Sequence, residues 1–177
     1  LAASAATQIE SLTFEAVTCR SLSTGGHGQA TSEGLALILP TSLCSSEVAR
    51  GLARSLNTTH GAPAGMRVVA LPHTEGCGVS DERIGARTLL GHIASPLVAS
   101  CLLLEHGCEK THNDYFAALL RDHQLDPSCF GWASLQADGG VGSVRQKVTE
   151  WLAMQLPPAK PLRSPAPLAT LGIGLLM

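Results

Sequence analysis

Residues 97–114 read LVASCLLLEHGCEKTHND, an apolar run followed directly by a dense polar cluster. The run has almost no polar alternation, which is typical of a strand that is covered on both faces in a parallel sheet. Open α/β sheets bind ligands at the carboxyl ends of their strands, so this stretch predicts a functional site. Six of the ten residues after the run carry carboxyl, imidazole or thiol groups, which can bind a metal or move a proton: Glu105, His106, Cys108, Glu109, His112 and Asp114.

The same arrangement occurs twice upstream. Residues 35–39 are apolar and lead into Pro-Thr-Ser-Leu-Cys-Ser, and residues 68–71 are apolar and lead into Pro-His-Thr-Glu-Gly-Cys-Gly. The cysteines in the three polar segments, Cys44, Cys77 and Cys108, are 33 and 31 residues apart. Because one βα unit takes about 30 residues, we expect all three thiols at one edge of a parallel sheet.

Four such units in strict alternation predict an α/β fold with a Rossmann-like, doubly wound and mostly parallel sheet. The predicted strands are residues 34–40, 66–71, 97–104 and 131–137. Ser45 or Ser46 is expected to cap the first helix and Ser80 or Asp81 the second, since short polar side chains at these positions accept backbone hydrogen bonds. The last helix is predicted over residues 143–156.

The pattern also predicts the domain organisation. Residues 1–33 form an N-terminal segment with a Gly-rich loop, and residues 34–156 form the α/β domain. Residues 157–170 are rich in proline and are interpreted as a linker. Residues 171–177 are again apolar, which indicates the start of a further segment in a longer protein.

Composition narrows the classes of function. The chain has 177 residues and a net charge of −2, with no basic patch, which argues against a nucleic-acid partner. No apolar run is long enough for a membrane span, and the first residues lack the pattern of a signal peptide. We therefore expect a cytoplasmic protein whose six cysteines are reduced thiols or metal ligands. A start without Met leaves processing of an earlier segment open.

The cysteines fall into two groups. Cys101 lies inside a strand and is interpreted as a core residue, as are Cys19 and Cys129, which have no ligand context. Cys44, Cys77 and Cys108 are instead predicted to hold a metal, because thiolates suit iron, zinc or an iron–sulfur cluster. The chain has no Cys-x-x-Cys pair, which argues against a structural zinc ribbon.

Other polar residues at the same edge are candidates for proton transfer and substrate binding. His73 and His106 follow strand ends, and His112 lies one helical turn after Cys108, where it could face the same site. The helices that start at this edge favour an anion such as a carboxylate or phosphate. Hydroxyl groups that would add to an anion site belong to Thr41, Ser42 and Ser45.

Several of these segments resemble one family, the altronate/galactarate dehydratases. The resemblance rests on Pro-Thr-Ser-Leu-Cys-Ser at 40–45, His-Thr-Glu-Gly-Cys-Gly at 73–78, Gly-Cys-Glu at 107–109 and Gln-Ala-Asp-Gly-Gly at 136–140. Arg20, followed by a Gly-rich loop, is similar to the entry segment of the family. The resemblance covers about residues 14–156. The chain differs after Gly-Cys-Glu, where residues 110–114 replace a segment that often contains glutamine.

The resemblance implies a metal-dependent hydro-lyase that converts an aldonate or aldarate into a 2-keto-3-deoxy acid. The expected metal is divalent, with Fe²⁺ first and an iron–sulfur cluster, Mn²⁺ or Mg²⁺ as alternatives. Cys44, Cys77 and Cys108 would bind it. Candidate bases are His73, Glu109 and His112, of which His73 is preferred because it ends a strand. Candidate substrate contacts are Arg20, Thr41, Ser42 and Ser45.

The expected partners are a sugar-acid substrate and a C-terminal half of the same protein, with no nucleic acid and no membrane. A homo-oligomer is also compatible with the sequence. Two alternative functions, from classes other than enzymes, stay open. One is a metal- or anion-binding module without chemistry of its own, and the other is a structural domain with its cysteines in the core.

Overall fold

A computed structural model of the chain describes residues 13–18, 30–31, 34–59, 66–77, 81–95, 97–155 and 163–167. Arg20, Cys19, the Gly-rich loop and residues 171–177 lie outside this part, so the predictions made for them are not tested. None of the described helices is long and apolar enough to cross a membrane.

In the described residues the strands are β1 Thr13–Thr18, β2 Ala30–Thr31, β3 Gly34–Pro40, β4 Met66–Ala70, β5 Val98–Glu105, β6 Gly131–Ser134 and β7 Arg163–Pro167. The α-helices of the same residues are α1 Leu43–Thr59, α2 Glu82–Ile93, α3 Asn113–Asp122 and α4 Val141–Gln155, and a 3-10 turn spans Pro127–Cys129. The four predicted strands are all present, although β6 is shorter than the predicted 131–137.

The main sheet has the order β4-β3-β5-β6, and all of its strand pairs are parallel. From β3 the chain moves outward to β4 and then returns across β3 to β5. The carboxyl ends of β3 and β5 therefore flank the point at which the strand order reverses, where doubly wound sheets form their ligand crevice. The predicted α/β class and parallel sheet are confirmed.

Side chains of β3 and β5 alternate between two apolar layers, as a strand covered on both faces requires. Ala36 and Ile38 pack into one layer with α1 and α4, whereas Leu37 and Leu39 pack into the other with α2 and α3. Helices therefore cover both faces, which makes the sheet doubly wound. Cys101 is buried in the second layer, as predicted.

Of the two predicted helix N-caps, the one at α2 is confirmed and the one at α1 is wrong. The Asp81 side chain accepts a hydrogen bond from the backbone N–H of Arg83 and caps α2, as expected. Ser45 and Ser46 do not cap α1, because that helix begins earlier, at Leu43. Both hydroxyls instead donate to the carbonyl oxygen of Ser42, within the first turn.

The prediction of a buried Cys129 was wrong, since this thiol is exposed at the end of the 3-10 turn.

A second, three-stranded sheet has the order β2-β1-β7, with antiparallel pairing throughout. The sequence interpretation missed it, because β1 and β2 lie in the segment described as weakly patterned and β7 lies in the predicted linker. Strand β7 contains Pro165 and Pro167, and proline removes the N–H that a central strand needs. Its position at the sheet edge explains how a proline-rich segment is still a strand.

Two glycine positions test how tightly the main sheet is packed. A Cβ atom at Gly131 would lie 2.7 Å from the Trp151 ring and 2.8 Å from Leu102 Cδ1, so Gly131→Ala overpacks the layer between β6 and α4. We expect it to lower the free energy of unfolding by about 1–3 kcal/mol. Urea denaturation measures this effect.

The matched control is Gly51→Ala, in the interior of α1, where an added Cβ meets no atom within 4 Å. We expect this variant to raise the free energy of unfolding by about 0.5–1 kcal/mol, because alanine loses less backbone entropy than glycine in a helix. Equal effects of the two substitutions would contradict the packing described for Gly131.

Candidate metal centre

Three loops meet at the carboxyl edge of the main sheet, and backbone hydrogen bonds join them. The Thr41 N–H donates to Leu104 O at 3.0 Å, and the Leu43 N–H donates to Glu75 O at 2.9 Å. The segment after β4 approaches the segment after β3 so closely that a Cβ at Gly76 would lie 2.5 Å from Thr41 O. Gly76 also has φ +94°, a conformation that favours glycine. The loops after β3, β4 and β5 are therefore held in a fixed arrangement.

The carboxylate of Glu109 lies at the centre of this arrangement and is 5% exposed. Its Oε1 accepts hydrogen bonds from the Thr41 hydroxyl at 2.8 Å, from the Ser42 hydroxyl at 2.9 Å and from the His106 N–H at 2.8 Å. Its Oε2 accepts from the N–H groups of Gly107 at 2.6 Å and Cys108 at 2.9 Å. One side chain therefore connects the end of β3 to the loop that carries Cys108.

These contacts explain the acidity of Glu109. Burial alone would raise the pKa of its carboxyl group, but hydrogen bonds from backbone N–H groups and from Thr41 outweigh that effect and lower the pKa to about 2. The group is therefore a carboxylate at neutral pH and a weak base. With both oxygens occupied, Glu109 is poorly suited to the predicted role of catalytic base, and it acts instead as an anchor for the loop.

The three predicted thiols come together. Cys44 lies in the first turn of α1, Cys77 in the loop after β4 and Cys108 in the loop after β5, and all three are exposed. Their sulfur atoms all lie within 4.8 Å of one another, and Cys44 Sγ lies 3.4 Å from Cys77 Sγ. The geometric prediction that these thiols share one edge of the sheet is confirmed.

The close contact makes the protonation of the pair unequal. Donation of a hydrogen bond from the Cys44 thiol to Cys77, helped by burial and by the nearby sulfur charges, raises the pKa of Cys44 to about 11. Burial tends to raise the pKa of Cys77, but hydrogen bonds from the Cys44 thiol and backbone N–H lower it. Cys77 is therefore the thiol of the pair that ionises first, which is the state a metal ligand needs.

His106 belongs to the same region, and its Nδ1 lies 3.1 Å from Cys108 Sγ. Donor atoms of His106, Cys108 and Glu109 form a second group whose members all lie within 4.8 Å of one another. The sequence already placed His106 directly after a strand. What the sequence could not show is that its ring nitrogen contacts the sulfur of Cys108, two residues later.

His73 is the preferred candidate base, and both of its ring nitrogens make hydrogen bonds within the protein. Its Nδ1 accepts a hydrogen bond from the Glu75 N–H at 3.1 Å, so its other nitrogen, Nε2, carries the proton and donates to Pro40 O at 2.7 Å. Ser46 also bonds to both the backbone N–H and the carbonyl of His73. With both ring nitrogens occupied, His73 holds the loop after β4 against the end of β3 and has no free lone pair to act as a base.

The predicted substrate contacts are also used within the protein. Thr41, Ser42 and Ser45 are all buried. The first two donate to Glu109, and Ser45 donates to the carbonyl oxygen of Ser42. In this conformation the three hydroxyls are therefore used in hydrogen bonds within the protein, and direct substrate binding by them stays a prediction.

Protein acceptors also take the first N–H group of two of the helices that were predicted to hold an anion. The first N–H of α1, on Leu43, donates to Glu75 O, and that of α3, on Asn113, donates to the Glu105 carboxylate. His112 is the residue that precedes α3, where it is exposed and its side chain makes no capping hydrogen bond. It belongs to neither group of potential metal donors in the described part of the chain.

Two residues in this region were given no role in the sequence analysis. Gln136, after β6, donates its N–H to His106 O at 3.1 Å, and its side chain lies where a Cβ at Gly107 would be, 2.9 Å from Oε1. Thr111 donates its hydroxyl to Thr41 O at 2.9 Å. Each residue joins the loop after β5 to the end of another strand. Their partners are distant in sequence, so no local sequence pattern predicts these contacts.

Comparison with known families gives one result. The model for the second domain of D-galactarate dehydratase/altronate hydrolase matches residues 27–159, which include the main sheet and every residue of the thiol cluster. No curated protein and no solved structure matches the chain.

The anchor role of Glu109 can be measured as a pH-dependent stability. A pKa lowered from 4.5 to about 2 corresponds to about 3 kcal/mol of stability. This contribution is complete above the unfolded-state pKa and is lost as the pH falls through the folded-state pKa. We therefore expect Glu109→Gln to lower the free energy of unfolding by about that amount at pH 7, and by progressively less as the pH falls from about 4.5 towards about 2.

Denaturant unfolding of the wild type and the variant across this pH range gives the comparison. Glu47→Gln is the matched control, because Glu47 is exposed and its ion pair among the described residues is with exposed Arg50, at 3.3 Å. We expect a change of at most about 1 kcal/mol for that control. A Glu109→Gln variant as stable as the control would show that the carboxylate does not anchor the loop.

Proposed function

Because the chain belongs to the D-galactarate dehydratase/altronate hydrolase family, we propose that it is the metal-binding α/β domain of a sugar-acid dehydratase. The observation that carries this proposal is the meeting of three exposed thiols at the carboxyl edge of the main sheet, with all sulfur atoms within 4.8 Å of one another. The reaction would remove water from an aldonate or aldarate and give a 2-keto-3-deoxy acid. The substrate is a sugar acid such as altronate or galactarate.

The thiol cluster fits one divalent metal ion. Two sulfur ligands on a tetrahedral ion lie about 3.8 Å apart, given metal–sulfur bonds of about 2.3 Å. The observed separation of 3.4 Å between the sulfur atoms of Cys44 and Cys77 is close to that value. Sulfur donors favour Fe²⁺ over Mg²⁺ or Mn²⁺, so we propose Fe²⁺ as the metal. An iron–sulfur cluster is the second choice, because the donor set is compact.

In this proposal Cys44, Cys77 and Cys108 hold the metal. A bound divalent ion supplies Lewis acidity, which stabilises negative charge as it develops on an oxygen atom of the substrate. Glu109 fixes the loop on which Cys108 lies, through the N–H groups of Gly107 and Cys108. His106 orients the Cys108 sulfur by a hydrogen bond, as groups around metal ligands commonly do.

The dehydration also needs a base that takes the proton from the carbon next to the carboxylate. Of the three predicted bases, Glu109 and His73 are fully hydrogen-bonded within the protein, as described above. His112 has no side-chain capping bond, is exposed, and precedes a helix that starts at the same edge of the sheet. We therefore propose His112 as the base to test first.

A second candidate function is metal binding without catalysis in this domain. It is favoured by the internal use of Glu109 and His73, because two groups with acid–base chemistry are occupied by structural hydrogen bonds. In that case the reacting groups belong to another part of the protein. Reduced thiols are retained in the cytoplasm, so under either function we propose that the protein acts there.

Metal binding is tested on the full-length protein, purified without oxygen. We expect Cys108→Ala to lose most of its bound iron while keeping the wild-type unfolding midpoint, because this exposed loop residue contributes little to the core. Cys129→Ala is the matched control, since Cys129 is also an exposed free thiol but lies outside the cluster. Iron content and circular dichroism check the two properties. Equal iron in both variants would contradict ligation by Cys108.

Catalysis is tested by replacing His112 and following 2-keto-3-deoxy acid formation. We expect His112→Gln to lose about 10²–10⁴-fold in rate, the range for a general base, with its iron content unchanged. His123→Gln is the control, because His123 lies at the opposite end of the same helix. A variant that keeps more than about a tenth of the wild-type rate would remove His112 from this role. Absence of turnover by the wild-type protein would favour the non-catalytic function.

A further inference from the structure

Cys44 and Cys77 form a direct contact between two exposed thiols. Their sulfur atoms are 3.4 Å apart and both residues are exposed. We propose that Cys44 and Cys77 are a redox modification site, at which a peroxide converts the two thiols into a reversible disulfide. The formation of this disulfide does not depend on the proposed function. Its effect on metal binding does, because the disulfide removes two sulfur atoms that the proposed function assigns as metal ligands.

The positions of the two residues make the bond geometrically accessible. A disulfide has an S–S distance of about 2.05 Å, so the sulfur atoms need to approach by only about 1.4 Å. The Leu43 N–H already bonds to Glu75 O at 2.9 Å and joins the start of α1 to the loop that carries Cys77. Both thiols are exposed and belong to neither of the two apolar layers of the core.

The other cysteines of the described chain explain why this pair is selected. Cys101 is buried, and Cys129 is exposed but has no thiol partner within hydrogen-bonding distance. Cys108 lies within 4.8 Å of both members of the pair, but the atom in contact with its sulfur is His106 Nδ1, at 3.1 Å. Oxidation consumes thiols two at a time, and the pair already in contact is therefore favoured.

The oxidation balances with one peroxide for each disulfide. The sulfur of the first cysteine attacks one peroxide oxygen, the O–O bond breaks, and a sulfenic acid and one water are formed. The second sulfur then attacks the sulfenic sulfur, the S–O bond breaks, and a second water leaves. The two thiols together lose two hydrogen atoms, which the two waters take up. A dithiol such as dithiothreitol reverses the process by thiol–disulfide exchange.

Metal and disulfide then exclude each other. Metal binding requires the sulfur atoms as thiolates, whereas the disulfide joins two of the three donors and leaves Cys108 alone. A bound ion therefore protects the pair from oxidation, and oxidation of the metal-free protein prevents loading. Peroxide thus controls whether the domain can take up its metal.

The test uses the metal-free, fully reduced full-length protein, treated with a small molar excess of hydrogen peroxide. We expect a mass loss of about 2 Da and the disappearance of two titratable thiols. Peptide mapping should join Cys44 to Cys77, and dithiothreitol should restore both thiols. Cys108→Ser and Cys129→Ser should form the same bond, whereas Cys44→Ser and Cys77→Ser should not.

The second measurement compares Fe²⁺ binding before and after peroxide. We expect iron content to fall below about a tenth of the reduced protein's value and to recover after dithiothreitol. No mass loss, or a bond that includes Cys108, would overturn the proposed modification site. A protein that forms the Cys44–Cys77 bond but binds no iron even when reduced would uphold the redox site and refute the metal centre, so the two failures are distinguishable.

Discussion

The arrangement of the candidate site depends on one buried carboxylate. Glu109 accepts hydrogen bonds from two side chains at the end of β3 and from three backbone N–H groups of its own loop. A loop that carries several N–H groups cannot be buried against a sheet unless those groups find acceptors. A single carboxylate meets this demand for three residues at once, and it places Cys108 beside the thiols of the neighbouring loops.

The sheet topology explains why three distant cysteines can meet at all. Each lies in a loop after a parallel strand, and β3, β4 and β5 are adjacent in the sheet, with β3 in the middle. The crossover helices return the chain to the same edge each time, so residues more than 30 positions apart in sequence become neighbours. The thiol cluster is therefore a product of the crossover connections, and the carboxylate of Glu109 then fixes the distances.

Much of the fold and part of the site could be predicted from the sequence, for identifiable reasons. The apolar runs of β3 and β5 and the regular recurrence of Cys44, Cys77 and Cys108 are local or periodic features. The hydrogen bonds that occupy Glu109 and His73 within the protein could not be predicted, because a titratable residue after a strand looks the same whether it faces a substrate or a protein donor. The partners that decide the matter, Thr41 and Pro40, are 68 and 33 residues away. Strand β7 was missed because proline is rarely found in strands except at sheet edges.

That edge position has a consequence for how the protein behaves at high concentration. An unpaired strand edge is a template on which other chains can add and polymerise. In the three-stranded sheet, one edge strand, β2, is only two residues long, and the other, β7, has prolines at two of its five positions. Within the described residues, neither of these two strands offers a long continuous row of donors and acceptors to an incoming strand. The composition that disguised β7 in the sequence is thus also a protection against intermolecular β-sheet growth.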